Sequence, residues 1–213
     1  MKPLRILAIA PTSFYADYGC HVRIRGHMAS LGSRGHEVLL VTYPSGRDVA
    51  GIPTRRAPWP KGSPIQVGSS RLKIALDALL TPTALQAASR FKPELVHAFL
   101  HEGALIGSLI SRLYRCPLVF DFQGSLTGEM LDHRFITRRS MWFPALRALE
   151  TRIDRLPDAI VASSHHAEES LETVLGTTRR RRPSVRTLPD SVDPTRFRPR
   201  DSFPTAELAA LRR

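Results

Sequence analysis

The chain has 213 residues, 42% of them apolar, and its 31 Lys and Arg against 19 Asp and Glu leave a net charge of +12. That is enough apolar material for one large α/β domain or two small ones. No run of about 18 apolar residues is present to span a membrane, and "MKPLRILAIAPT" lacks the apolar length and cleavage chemistry of a secretory signal. The expected compartment is the cytoplasm. There Cys20 and Cys116, far apart and outside any C-x-x-C or His-rich setting, stay reduced thiols and bind no zinc. The charge, part of it concentrated in Arg179–Arg182, asks for an anionic partner: nucleic acid, an anionic membrane surface and a phosphorylated substrate all satisfy it. No interleaved aromatics, zinc-finger spacing or single-strand-binding signature supports nucleic acid.

Leu4–Ala10 is a continuous apolar run of strand length, as for a strand buried on both faces of a parallel sheet. A helix is expected from His21 to Arg34, because Ile24, Met28 and Leu31 recur at spacings of four and three and Gly35 supplies a stop. "HEVLLVTY" reads as a second strand. Pro44–Gly68 reads as loop with a short strand near Ile52–Ala57. Ser69 or Ser70 can cap the helix that follows, which Pro82 is expected to kink or divide. The alternation then repeats: "PELVHAF" as strand, "GALIGSLISRLYR" as helix, "CPLVFDF" as strand, Trp142–Arg155 as helix, "DAIVAS" as strand, His165–Leu175 as helix and Ser184–Pro189 as strand. Six or seven strands alternating with helices predict an α/β fold, a doubly wound and mostly parallel Rossmann-like sheet over residues 1–190. Residues 191–213 read as turns and a short helix, Ala206–Arg213.

In such sheets ligands bind beyond the carboxyl ends of the strands. In the first loop, Pro11–His21, Gly19 allows close backbone approach and the following helix offers free N–H groups to an anion. Neither the dinucleotide fingerprint nor a P-loop is present. After Leu95–Phe99 come His101 and Glu102, near His97: either a pair able to move protons near pH 7, or a capping Glu beside a surface His. A metal is not expected at His97 and His101, which lack helical spacing and a third ligand. After "LVFDF", the run Gln123-Gly124-Ser125-Leu126-Thr127-Gly128-Glu129 reads as a loop rich in hydrogen-bonding groups, suited to a polyhydroxylated ligand. Asp121 and Asp132 flank it and are expected to face solvent. In "ASSHHAEE", Ser163 or Ser164 can cap the next helix.

Taken together, "RILAIAPTSF", Tyr18-Gly19, "RGHEVLLVTY", "PELVHAFLHEGALIG", "PLVFDFQGSLTGEM", "DAIVASSHHAEE" and "LPDSVDPTRFRP" resemble the N-terminal domain of family 4 retaining glycosyltransferases. These are GT-B enzymes built from two Rossmann-like domains. The resemblance implies a nucleotide-sugar donor held mainly by a C-terminal domain, a sugar, lipid or small-molecule acceptor recognised by this one, and no metal or other cofactor. Carried over by position, Gly19 approaches the diphosphate, and Cys20 and His21 begin the helix whose amides face it. Gln123 and Gly124 face the donor sugar, with Ser125 and Ser164 in the neighbouring donor-side loops and Gln123, His101 and Glu102 as the candidates for chemistry. Two positions depart from the pattern: Tyr18 stands where the family usually has Gly, and Gln123 where many members have His, so hydrogen bonding to a sugar survives better there than acid–base work.

A full enzyme of that kind needs roughly another 150–200 residues, about one more domain. Residues 191–213 are accordingly expected to be the linker and the start of a donor-binding domain, and the chain alone is expected to be inactive. The basic surface, with Trp59, Trp142 and Phe143 expected to be exposed, suits an anionic membrane or lipid-linked acceptor at the inner membrane face; an ordinary basic soluble protein with core aromatics fits slightly better. The rival from another class is a non-catalytic binding or scaffold domain that pairs with a separately encoded partner.

Overall fold

Alternation along the first strand sets the architecture. In β1 (Arg5–Ala10), Ile6, Ala8 and Ala10 point to one face of the sheet while Leu7 and Ile9 point to the other, and all five are buried. Only a strand covered on both sides tolerates such a run. The computed structural model describes residues 2–59, 71–176, 182–192, 197, 199–200 and 203–204. The expected helix at Ala206–Arg213, the caps at Ser69 or Ser70 and most of the Arg179–Arg182 run lie outside the described residues.

The elements follow as α1 (Gly19–Ser33), β2 (Glu37–Thr42), β3 (Thr54–Arg56), α2 (Arg71–Phe91), β4 (Leu95–Phe99), α3 (Leu100–Tyr114), β5 (Leu118–Phe122), α4 (Leu126–Asp132), α5 (Phe143–Asp154), β6 (Ala159–Ala162), α6 (His165–Leu175) and β7 (Ser184–Thr187). The seven strands form one parallel sheet in the order β3-β2-β1-β4-β5-β6-β7. The expected doubly wound sheet is therefore present. The order reverses between β1 and β4, which opens a crevice at their carboxyl ends.

Two cores sit on opposite faces of the sheet. One joins Ile24 and Met28 of α1 and Phe14 of the first loop to Ile6, Ala8, Val38, Leu40 and Phe99. The other joins Leu7, Ile9 and Val41 to buried side chains of α2, α3, α5 and α6, among them Leu80, Ile110, Ile153 and Leu171. Each fully buried side chain of this size stabilises the fold by roughly 1.5–3 kcal/mol.

Three local expectations are corrected. Pro82 neither divides nor ends α2, which runs unbroken past it. The proline has no N–H for the carbonyl one turn back, but the Thr81 and Thr83 hydroxyls donate to the carbonyls of Asp77 and Leu79 on either side, and Leu80, Ala84, Ala87 and Ala88 are buried along the same helix. Residues 126–129 are not loop but the start of α4, because Ser125 caps it by accepting from the Gly128 N–H. Of the aromatic residues expected on the surface, Trp142 is exposed, Phe143 is half-buried and Trp59 packs against the core.

Candidate functional site

The carboxyl edge of β1 leads into a loop that is built rather than slack. The Tyr15 and Arg47 backbones exchange two hydrogen bonds, the Thr42 hydroxyl donates to the Thr12 carbonyl, and Arg56 donates to the carbonyls of Phe14 and Ser45. Gly46 makes this contact feasible: at φ +110 its α-carbon sits so close that a Cβ would lie 2.1 Å from the Phe14 carbonyl oxygen. Gly19 behaves differently. It is the first residue of α1, not a loop residue before it, and a Cβ there would meet nothing within 4 Å. Packing within the described chain therefore does not demand a glycine at 19.

Tyr18 precedes the helix with no side-chain cap, and its carbonyl takes the N–H groups of His21 and Val22. Among the described residues the Gly19 and Cys20 amides are left as the unclaimed donors of the first turn, at its positive end. His21, expected among the amides facing a ligand, is committed inward. Its ring is fully buried, with Nε2 2.6 Å from the Thr12 hydroxyl and Nδ1 2.9 Å from Ala16, and burial lowers its pKa. Cys20 is half-buried, and burial raises its thiol pKa.

No loop separates β4 from α3. Leu100 adopts φ +62 and turns the chain directly into the helix, while Gly103 lies so close to β1 that a Cβ would sit 2.9 Å from the Ile9 carbonyl. His101 and Glu102 thus occupy a first helical turn and reach in different directions. Glu102 pairs with Lys73 of α2 at 2.6 Å, whereas the buried His101 ring lies 3.3 Å from Asp154 and 3.9 Å from Glu150, both on α5 and both buried. They are not a shared proton pair. Glu150 in turn accepts from the Thr127 hydroxyl and from Arg147; burial pushes its pKa up, but Ser125, Thr127 and Arg147 together outweigh it and leave it lowered, while burial raises that of Asp154. The cluster bolts α3, α4 and α5 together just below the rim.

Beyond β5 stands Gln123, whose Nε2 is buried without a hydrogen-bond partner among the described residues. Gly124 beside it opens onto free space. Ser125 and Ser164 are occupied as helix caps, Ser164 accepting from the Ala167 N–H. Asp121 is corrected outright: it is fully buried, not solvent-facing.

The Arg23 Nε donates to both oxygens of Asp121 at 2.9 and 3.1 Å, and its Nη1 donates to the Leu188 carbonyl and to Asp190 beyond β7. Burial pulls the Arg23 pKa down, but the two carboxylates outweigh it and leave it raised. His27 lies 3.4 Å from Asp121, and the His97 ring stacks on Phe99 behind it. The fold therefore supplies the third ligand-type residue that the sequence lacked at both His97 and His101: His27–His97–Asp121 and His101–Glu150–Asp154 each bring three donor atoms within 4.8 Å. Arg23 already pairs with Asp121 and Arg147 with Glu150, while Asp154 faces the His101 ring. Sequence reasoning did not find Arg23, Glu150 or Asp154. The available signal was Asp121 itself, a charge inside a strand buried on both faces, which requires a partner.

This rim belongs to a recognisable set of folds. A sucrose-phosphate synthase from Thermosynechococcus elongatus superposes with a TM-score of 0.69 at 15% identity over 98% of this chain and 52% of that one. Anabaena HepE in complex with UDP-glucose gives 0.61 at 14% identity over 98% and 49%. A glycosyltransferase from Rickettsia africae gives 0.59 at 11% identity over 99% and 49%. The chain thus spans about half the length of these proteins. Among curated proteins no sequence matches it. A family model described as a glycosyl transferase 4-like domain matches residues 18–191, from Tyr18 at the head of α1 to the stretch that Arg23 holds after β7. With the Rossmann-like sheet of the GT-B enzymes, that match shows that the chain belongs to the glycosyl transferase 4-like family.

Proposed function

We propose that the chain is the acceptor-side half of a retaining glycosyltransferase that moves a sugar from a nucleotide-sugar donor to a glycan, lipid or small-molecule hydroxyl. The observation that carries this reading is a set of uncommitted donors on one edge of the sheet. The Gly19 and Cys20 amides and the Gln123 Nε2 have no partner within the described chain, whereas Ser125, Ser164 and the His21 ring are all engaged.

In this reading the first turn of α1 meets the diphosphate through its backbone, and a helix N-terminus stabilises the charge that grows on it as the leaving group departs. Gln123 donates to a donor-sugar hydroxyl and moves no proton. The acceptor hydroxyl attacks on the face the nucleotide leaves, aided by cations of a second domain. His101 and Glu102 hold α3 in place and take no part in the chemistry. No metal or cofactor has a role.

Titration of the isotope-labelled chain with UDP, followed by amide NMR, tests the reading. Shifts are expected at Gly19, Cys20, Gln123 and Gly124, and they are expected to fade in Gly19→Val, which changes stability little because space is free there. Shifts confined to other surfaces would remove the basis for the proposal. Incubation of the chain alone with sugar nucleotides and acceptors is expected to give no turnover, and turnover would refute the need for a second domain.

A further inference from the structure

The connection between α4 and α5 has an unusual surface. Phe135, Met141 and Trp142 are 52%, 83% and 65% exposed, although apolar side chains of this size are normally covered. They are not loose ends. The N–H groups of Phe135 and Ile136 bond the Met130 carbonyl, Ser140 bonds Thr137, and Phe143 bonds Ser140, so successive backbone turns hold the segment.

Its charge is one-sided. From His133 to Pro157 the sequence carries six arginines and only two acids, Glu150 and Asp154, and both acids are buried. Arg134, Arg138 and Arg139 are exposed and form no ion pair among the described residues. Because β5 and β6 are parallel, α5 runs back against them, and its first turn lies at the same end of the sheet as Gln123.

We infer that Arg134, Phe135, Arg138, Arg139, Met141 and Trp142 dock the protein on an anionic lipid bilayer, with the carboxyl rim of the sheet beside the headgroups. Two complementarities commit the patch to this occupant. Three exposed guanidinium groups, which outnumber the exposed carboxylates of Glu129 and Asp132 just before them, match anionic headgroups, and Met, Phe and Trp side chains seat at the headgroup–acyl boundary. No helix among the described residues is long and apolar enough to cross a membrane, so the contact is peripheral. The inference stands apart from the transferase reading, since docking needs neither donor nor turnover.

Sedimentation of the full chain with phosphatidylcholine vesicles, with and without phosphatidylglycerol, tests it. Binding is expected only with the anionic lipid. The triple variant Arg134→Gln, Arg138→Gln, Arg139→Gln is expected to bind about a hundredfold more weakly. Met141→Ser and Trp142→Ser are expected to cost about tenfold each. A control triple of equal charge loss, Arg34→Gln, Arg90→Gln, Arg112→Gln, all exposed elsewhere, is expected to bind like the parent. The emission of Trp142 is expected to shift to shorter wavelength on the vesicles, a change lost in Trp142→Phe. Binding to neither vesicle, equal weakening by the control triple, or full binding after loss of Met141 and Trp142 would each overturn the inference. So would a patch that these substitutions show to hold two copies of the chain together in solution.

Discussion

Arg23→Met is the substitution with the largest effect that can be worked from the structure. The guanidinium makes two bonds to Asp121 and one each to Leu188 and Asp190, and its side chain and that of Asp121 are almost completely buried. Methionine fills much of the volume but leaves the Asp121 carboxylate inside the protein with, among the described residues, only His27 beside it, a ring whose pKa burial has lowered. Breaking a buried pair from one side costs about 3–5 kcal/mol. At 213 residues, each kcal/mol shifts the melting temperature by about 2–4 °C, so a fall of about 10 °C is expected. The companion Asp121→Leu removes the stranded charge. The double variant should therefore recover most of the loss, with a coupling energy of more than about 1.5 kcal/mol in a double-mutant cycle by urea unfolding. Amide exchange at Leu188–Asp190 should quicken in the single variant, because its two anchors to α1 are gone. A single-variant loss below about 1 kcal/mol, or strict additivity in the double, would refute the account of Arg23 as a charge-balanced tie.

Three further outcomes follow from the backbone and from burial. Gly46→Ala forces a Cβ into the Phe14 carbonyl at a positive φ, and should cost more than about 3 kcal/mol and erase UDP-induced shifts at Gly19; calorimetry and NMR check the two effects. Arg115 ends α3 with φ +51 and an exposed side chain, so Arg115→Gly should raise stability by about 1 kcal/mol, a melting shift of about 2–4 °C. Burial, then the neighbouring His27 and Arg23 charges, hold His97 at about 3 against an ordinary 6.5. Its folded pKa is depressed, so the stability it confers is present above 6.5 and is lost as pH falls toward 3. His97→Leu should therefore lose about 3 kcal/mol less than the parent between pH 7 and pH 4 in urea titrations. Asp77, raised to about 6 chiefly by burial, acts oppositely: its contribution is present below its unfolded value of 3.8 and lost as pH rises through 6. It is common to both proteins and cancels in the difference.

The strand–helix alternation was legible because β1, β4 and β5 are short apolar runs and α1, α3 and α6 carry helical stripes. For α6 the expected bounds, His165–Leu175, are those found, since Ser164 marks the start by capping. The resemblance to family 4 enzymes was legible through the same post-strand segments. What local pattern could not show was anything held from a distance. A Thr and a Gly in the first turn of α4 read as loop, and the helix stands because Thr127 is gripped by Glu150 from α5. His101 and Glu102 are adjacent in sequence, but consecutive helical positions face different neighbours, so adjacency did not make them a pair. Arg23 and Asp121 are 98 residues apart, and no spacing rule reaches that far.

The strand order also constrains how the chain comes to be folded. Every pairing in the sheet is parallel, so none closes through a hairpin; the nearest registered partners, Leu40 and Thr54, are 14 positions apart by number, and Ile6 and Leu95 are 89 apart. β1 is made before the other six strands and stands inside the sheet, between β2 and β4, yet its second neighbour is complete only after Phe99 has been made. For that interval an apolar strand has an unpaired edge, the condition under which nascent chains associate with one another, so weaker expression, which leaves fewer such chains together, should raise the soluble yield.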